Sequence, residues 1–459
     1  MSTKVSGFRH RATSDRQGVR FKSIRTGELT LMTIGGIMGS GLFLASGQAI
    51  RYAGPAVALG YLAGVLVMAA EMGALAEMAA ADPIRGNFIT YTSRVLGRGP
   101  AFTGGWIFWF SSILNMAAEA TAAALFTRMW LSGVPVWAFS LGFAVLVAAL
   151  NFLPVRGFGE VESVMSGLKI LAVGAFLGLG VLALTGHAGA HPPLWRNFAP
   201  RGARGVGQAM ILVLFSLSGT GILGMAAPDT RAPGRTIPAA IRNVSLMVLV
   251  FYVGAALLIP AMVPWQRVPT HQSPFVAALN SLRIPYVGGA MNLLILVAVL
   301  SALNAGLYST DRVLVSLARD GYAPGLFGRL SARKVPVAAN ALTGVCLTAA
   351  ASLIYFLPQE AYLYLVSATG LMVLFIWALI IYTQIRYRPW LERHKPERLH
   401  FRMPGHPYTS WLTLVLLTGI LGTAFLASRE AVALVLGVAA SACFAGVYFL
   451  VRGRLRAGA

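Results

Sequence analysis

Acidic residues are scarce in this chain: 15 Asp and Glu stand against 37 Lys and Arg in 459 residues, and charges of both signs make up only 11%. With 57% apolar residues and a mean hydropathy of +0.70, that scarcity excludes an ordinary soluble domain. Cysteine is nearly absent. Cys346 and Cys443 both fall inside apolar runs, so they read as free thiols and no exported disulfide framework is indicated. No apolar run holds a histidine, and the seven histidines lack metal-ligand spacing; neither a metal nor any other cofactor is expected. P-loop, HExxH and GxSxG motifs are missing, which leaves ATP hydrolysis, membrane proteolysis and enzymatic readings in general without support. The longest polar stretches, near 186–205 and 386–410, are too short to build a second, soluble domain.

What the chain has instead is apolar runs of about 20 residues, the length that crosses a bilayer as a helix. Twelve candidates start near positions 31, 54, 102, 135, 161, 206, 242, 288, 335, 361, 411 and 431. The expected class is an all-α polytopic membrane protein. The run from Leu29 to Ile50 exceeds a signal-peptide core and lacks a convincing cleavage site, so it is expected to remain as the first span. Lys and Arg cluster in alternate loops: 28 lie on one side and seven on the other. By the positive-inside rule both termini face the cytoplasm. The basic residues within 1–25 admit an RNA-binding tail, but a topogenic, lipid-facing role needs no further assumption, and nucleic acid is not an expected partner.

The first and sixth spans are both interrupted by glycine, as Gly35-Gly36-Ile37-Met38-Gly39-Ser40-Gly41 and Phe215-Ser216-Leu217-Ser218-Gly219-Thr220-Gly221. Gly35 and Gly39 form a GxxxG pair that alone reads as a helix-packing face. Gly36, Gly41, Ser40 and the matching interruption five spans later favour a binding site, because lipid tolerates unwound backbone only beside protein or a watery cavity. A half-helix starting near Ser40 offers free N–H groups to a carboxylate; the carbonyls ending the preceding half, with those of Phe215 to Ser218, suit an ammonium. One zwitterionic amino acid fits both. The Phe215 ring is placed to cover such a guest.

Lys169 lies in the fifth span, about 12 Å from Val161 at 1.5 Å per residue, beyond a comfortable snorkelling reach. At mid-helix a lysine costs about 2.5–3.5 kcal/mol, so it needs a partner or water, and there it can exchange a proton. Glu119 in the third span reads as a proton site, as a partner for Lys169 or Asn115, or as a satisfied structural carboxyl. Glu71 and Glu77 read as structural groups nearer the interface.

Four motifs resemble those of amino-acid permeases of the amino acid, polyamine and organocation superfamily, in its bacterial amino-acid transporter branch. They are IGGIMGSGLFLASG followed by AGPA (34–56), NFLPVRGFGEVES leading to Lys169, FSLSGTGILG with PDTRAPGRTIPAAIRN (215–243), and NAGLYSTDRVLVSLARDGYAPGLF (304–327). The resemblance implies two inverted five-helix repeats plus two extra helices, moving substrate by alternating access. It implies that the ligand carboxylate meets the amides of Ser40 and Gly41 and the Ser40 hydroxyl. The ammonium would meet carbonyls of Ile37, Phe215 and Ser218, with Gly219 beside them. It implies that Lys169 takes the place of a coupling sodium ion and contacts the broken first helix, which supports proton coupling. One departure stands out: many relatives carry Glu where this chain has Gly221, so a sixth-helix proton site is not expected. Downstream, Pro228-Asp229 displaces the usual acidic position and adds a helix stop.

The expected organisation is a basic tail (1–27), a transport core (28–385, its repeats near 28–185 and 206–385) and a closing segment (386–459) with the last two spans. The expected function is proton-coupled uptake of a neutral amino acid across the plasma membrane, with Lys169 and Glu119 carrying the coupling. An exchanger, a cationic amino-acid or polyamine permease and a non-transporting sensor are the alternatives; the sensor is disfavoured by the lack of a signalling domain. Partners are the amino acid, protons and the bilayer; oligomeric state is not legible.

Overall fold

Backbone groups find no partner in hydrocarbon, so apolar runs of this length fold as helices that satisfy their own ladders. The computed structural model describes residues 24–82, 87–153, 158–185, 197–221, 223, 230, 232–358, 360–399, 401–426 and 431–457. Most of the basic tail and the Pro228-Asp229 helix stop lie outside them. The first span is α1 (Thr26–Ile37), then a π turn (Gly41–Ala45) and α2 (Ser46–Ala53). There follow α3 (Val57–Ala81), a short α4 (Asn87–Leu96), α5 (Arg98–Thr127), α6 (Val136–Leu150), α7 (Phe158–Thr185) and α8 (Gly202–Ser216). The seventh span joins α9 (Pro233–Val248) through a π turn (Leu249–Val253) to α10 (Gly254–Met262). After the short α11 (Pro274–Ser281) come α12 (Val287–Arg319), α13 (Val337–Ala351), α14 (Leu353–Phe356), α15 (Ala361–His394), α16 (Tyr408–Leu426) and α17 (Ala431–Ala457).

These helices account for the twelve expected spans. The seventh begins at Pro233 rather than near 242, because the added turns carry Arg235 and Arg242 and are amphipathic instead of apolar. Apolar side chains fill the core and also cover the outer surface, whereas the ionisable groups of the spans lie inside. Leu66, Leu171, Leu182 and Val345 project outward with more than 60% of their surface exposed, while Glu71, Glu77, Glu119, Glu162, Lys169 and Asp311 are all buried. That placement is what a bilayer requires of its ionisable groups.

Three packings position the site. α1 lies against α7 and α9, α2 against α8, and α5 against both α12 and α15. The closing helices flank this bundle: α16 packs on α8, α3 and α15, and α17 on α15 and α5. Glu77 ties in the link before α16, accepting from the Met403 amide at 2.6 Å, Gln384 Nε2 at 2.8 Å and Arg388 Nη1 at 3.4 Å.

Candidate binding site at the two helix breaks

The first ladder stops at Ile37. Met38 turns out of helical geometry at φ −81°, ψ 86°, and Gly39 N–H folds back on Ile37 O at 3.0 Å. The second stops at Ser216, two residues into the stretch expected to be open, so Phe215 is still helical and its ring is buried. Ser218 then returns both its amide (3.0 Å) and its hydroxyl (2.7 Å) to Phe215 O.

The breaks cross in direct backbone contact. Gly219 adopts φ +100°, a left-handed conformation suited to glycine, and a β-carbon there would strike Gly36 O. A β-carbon on Gly41 would lie 2.5 Å from Ser216 Cα. Ser216 Oγ lies 2.8 Å from both Gly41 O and Leu212 O and donates to one of them at a time. Tyr252, in the π turn of the seventh span, points its hydroxyl between Ile37 O (3.0 Å) and Ser216 O (3.1 Å). A phenol has one proton, so it serves only one of those two carbonyls at a time, and Ile37 O accepts from Gly39 N–H as well.

Ionisable side chains fill the remaining open poles. Ser40 N–H donates to both Glu119 oxygens, at 3.0 and 2.9 Å, while the Ser40 hydroxyl is buried without a partner. Ser40 O accepts from the Tyr362 hydroxyl at 3.1 Å. On the other side of the break Lys169 Nζ donates to Gly35 O at 2.7 Å. A carboxylate therefore sits on the amide end and an ammonium on the carbonyl end, each matched to the local backbone dipole.

Beside the crossing lies a small pocket of about 80 Å³. Gly36, Ser218, Gly219, Thr220 and Gly221 bound it from the breaks; Phe108 and Asn115 of α5, Ser309 of α12, and Thr369 and Trp377 of α15 close the other sides. Among the described residues, no Asp, Glu, Lys, Arg or His lines it. Of the sequence-derived substrate contacts, Ser218 and Gly219 border this space. Ile37, Ser40, Gly41 and Phe215 are buried behind it, as are Lys169 and Glu119.

The sequence profile of the family described as amino acid permease matches residues 28–452, nearly the whole chain. The chain belongs to the amino acid permease family. It is 36% identical over 426 residues to a gamma-aminobutyric acid permease of Bacillus subtilis, covering 91% of each chain. It is 33% identical over 417 residues to an L-asparagine permease of Escherichia coli, covering 87% of this chain and 82% of that one. Among solved structures, a manganese transporter from Eremococcus coleocola superposes with a TM-score of 0.58 over 94% of both chains at 13% identity, a likeness of fold alone. The architecture is accordingly that of two inverted five-helix repeats with two added helices, and the protein is an integral membrane transporter, not an enzyme.

Several residues that shape this permease site escaped the sequence reading. The rings beside the cavity are Phe108 and Trp377, not Phe215, and a β-carbon on Gly221 would come within 3.0 Å of Phe108 Cζ. Tyr252 and Tyr362, which cap the breaks, carried one available signal: a tyrosine inside an apolar span must find a partner for its hydroxyl. Glu71, read as a structural group near the interface, lies beside Thr220 of the second break, with one carboxyl oxygen unpartnered.

Proposed function

We propose that this permease takes up a neutral amino acid together with a proton across the plasma membrane by alternating access. The observation that carries the reading is the double occupation of Ser40 N–H by Glu119. The amide a substrate carboxylate needs is already held by a protein carboxylate, and two anions repel at one short-range site. Protonating Glu119 removes the competing charge and frees the amide, so proton and substrate favour each other's binding, which is the thermodynamic content of symport. The ammonium end then meets whichever of Ile37 O and Ser216 O the Tyr252 proton leaves open. Lys169 on Gly35 O holds the first break to α7 and is the second proton-carrying group.

A neutral side chain is supported by a cavity bordered, among the described residues, by hydroxyls, an amide, two aromatic rings and no charge. A cationic amino acid or polyamine finds no carboxylate there. The names of the relatives suggest 4-aminobutyrate and L-asparagine as first substrates to try. Purified protein in liposomes supplies the test: uptake of labelled amino acids with and without an inward proton gradient. Accumulation above equilibrium only with the gradient, abolished in Lys169→Ala, is the expected result. Counterflow equally fast at symmetric pH, with no gradient-driven accumulation, identifies an exchanger instead.

A further inference from the structure

The proton-coupled reading leaves the buried carboxylate beside Lys169 without a task. Glu162, Ser166 and Lys169 sit at i, i+4 and i+7 of α7, hence on one face, and that face is turned to α1 at Gly35. A β-carbon on Gly35 would strike Ser166 Oγ and lie 2.5 Å from Glu162 Oε1. Lys169 Nζ stands 3.9 Å from Glu162 Oε1, and both residues are almost wholly buried. Ser301 of α12 donates to Glu162, 3.2 Å from one oxygen and 3.1 Å from the other. Ser166 Oγ, buried on the same face between the two ionisable groups, has no partner at all.

Few ionisable groups among the described residues face this pair. Of the elements packed on α7, α10 and α11 contain no ionisable residue. α1 contributes only Glu28, which accepts from the Arg25 amide at its exposed start. Tyr252, in the π turn, is committed to the carbonyls of the breaks. On α12, Asp311 turns to Thr343 of α13 and Arg312 lies over Tyr308. Among the described residues, the only charged group acting on Lys169 or Glu162 besides each other is Glu119, which acts on Lys169.

Glu162 is about 10 Å nearer than Lys169 to the N-terminal end of α7, at 1.5 Å per residue, which is the end the charge pattern assigns to the cytoplasm. We infer that Glu162 is the proton acceptor through which Lys169 discharges toward the cytoplasm, with Ser166 Oγ as the bridging hydroxyl. In this step the Lys169 N–H bond breaks as Ser166 Oγ accepts that proton and passes its own to Glu162, giving neutral amine and carboxylic acid. Glu162 then releases the proton to water at the cytoplasmic end, and its carboxylate is restored. The inference rests on proton coupling as proposed above.

The test uses full-length protein in liposomes, a labelled mixture of the protein amino acids and 4-aminobutyrate, and the variants Glu162→Gln and Glu162→Asp. Counterflow at symmetric pH needs no net proton release, whereas gradient-driven accumulation does. Glu162→Gln should therefore keep counterflow while losing accumulation by about tenfold or more, the scale of a lost acid–base group. Glu162→Asp should recover part of it. Undiminished accumulation in Glu162→Gln overturns the inference. So does joint loss of counterflow and accumulation in both variants, the signature of a merely structural ion pair. Wild-type protein that never responds to the gradient sinks the coupling itself, a separate and recognisable failure.

Discussion

At Gly41 a single methyl group stands between contact and separation of the two breaks. Its β-carbon would sit 2.5 Å from a backbone atom, Ser216 Cα, which cannot swing aside as a flexible side chain would. Overpacking of this kind costs about 1–3 kcal/mol. Gly41→Ala is therefore expected to lower transport by about tenfold or more at unchanged membrane insertion, measured as uptake per inserted molecule, since about 1.4 kcal/mol corresponds to a factor of ten. Gly174→Ala, where a β-carbon meets nothing within 4 Å, is the matched control and should transport normally. Equal uptake by the two variants would show that the crossing has room to spare. At this scale the sequence was informative about which backbone is unwound, because glycine clustering is local. It was silent on what fills each open pole: Tyr252 lies more than 200 residues from Ile37 and Tyr362 more than 300 from Ser40, and only the fold brings them together.

The seventh span shows how an element, not a residue, carries a function. Its π turn inserts an extra residue into the helix between Leu249 and Val253, and Tyr252 lies within it, its hydroxyl reaching both breaks. Tyr252→Phe keeps the ring, which packs edge-on against Tyr61 at 5.7 Å, and removes only the bridge. A buried acceptor left without its donor costs about 1–3 kcal/mol. The expected outcome is a lower unfolding temperature of the detergent-solubilised protein together with slower uptake; a variant unchanged in both would remove the bridge from the account. Periodicity located the spans because hydrophobic length is written directly into the chain. It did not reveal the π turn, whose apolar residues look like any others, nor α4 and α11, short helices stabilised by the bundle they pack on.

For the molecule as a whole, orientation decides where the proposed proton path leads: with the termini outside, the path from Lys169 to Glu162 would lead out of the cell. The imbalance of 28 basic residues against seven in alternate loops is the physical lever on orientation. It makes a sharp prediction at two exposed loop positions. In a background with Cys346 and Cys443 replaced by serine, Ser132→Cys follows α5 on the sparsely charged side, and Ala332→Cys precedes α13 among Arg329, Arg333 and Lys334. A membrane-impermeant maleimide added to intact cells should label the cysteine at 132 and spare the one at 332 until the membrane is opened. The reverse pattern would invert the carrier and point the proposed path from Lys169 to Glu162 away from the cytoplasm. Labelling of both from outside would mean that the loops do not alternate, and the twelve-span topology would fail with the orientation.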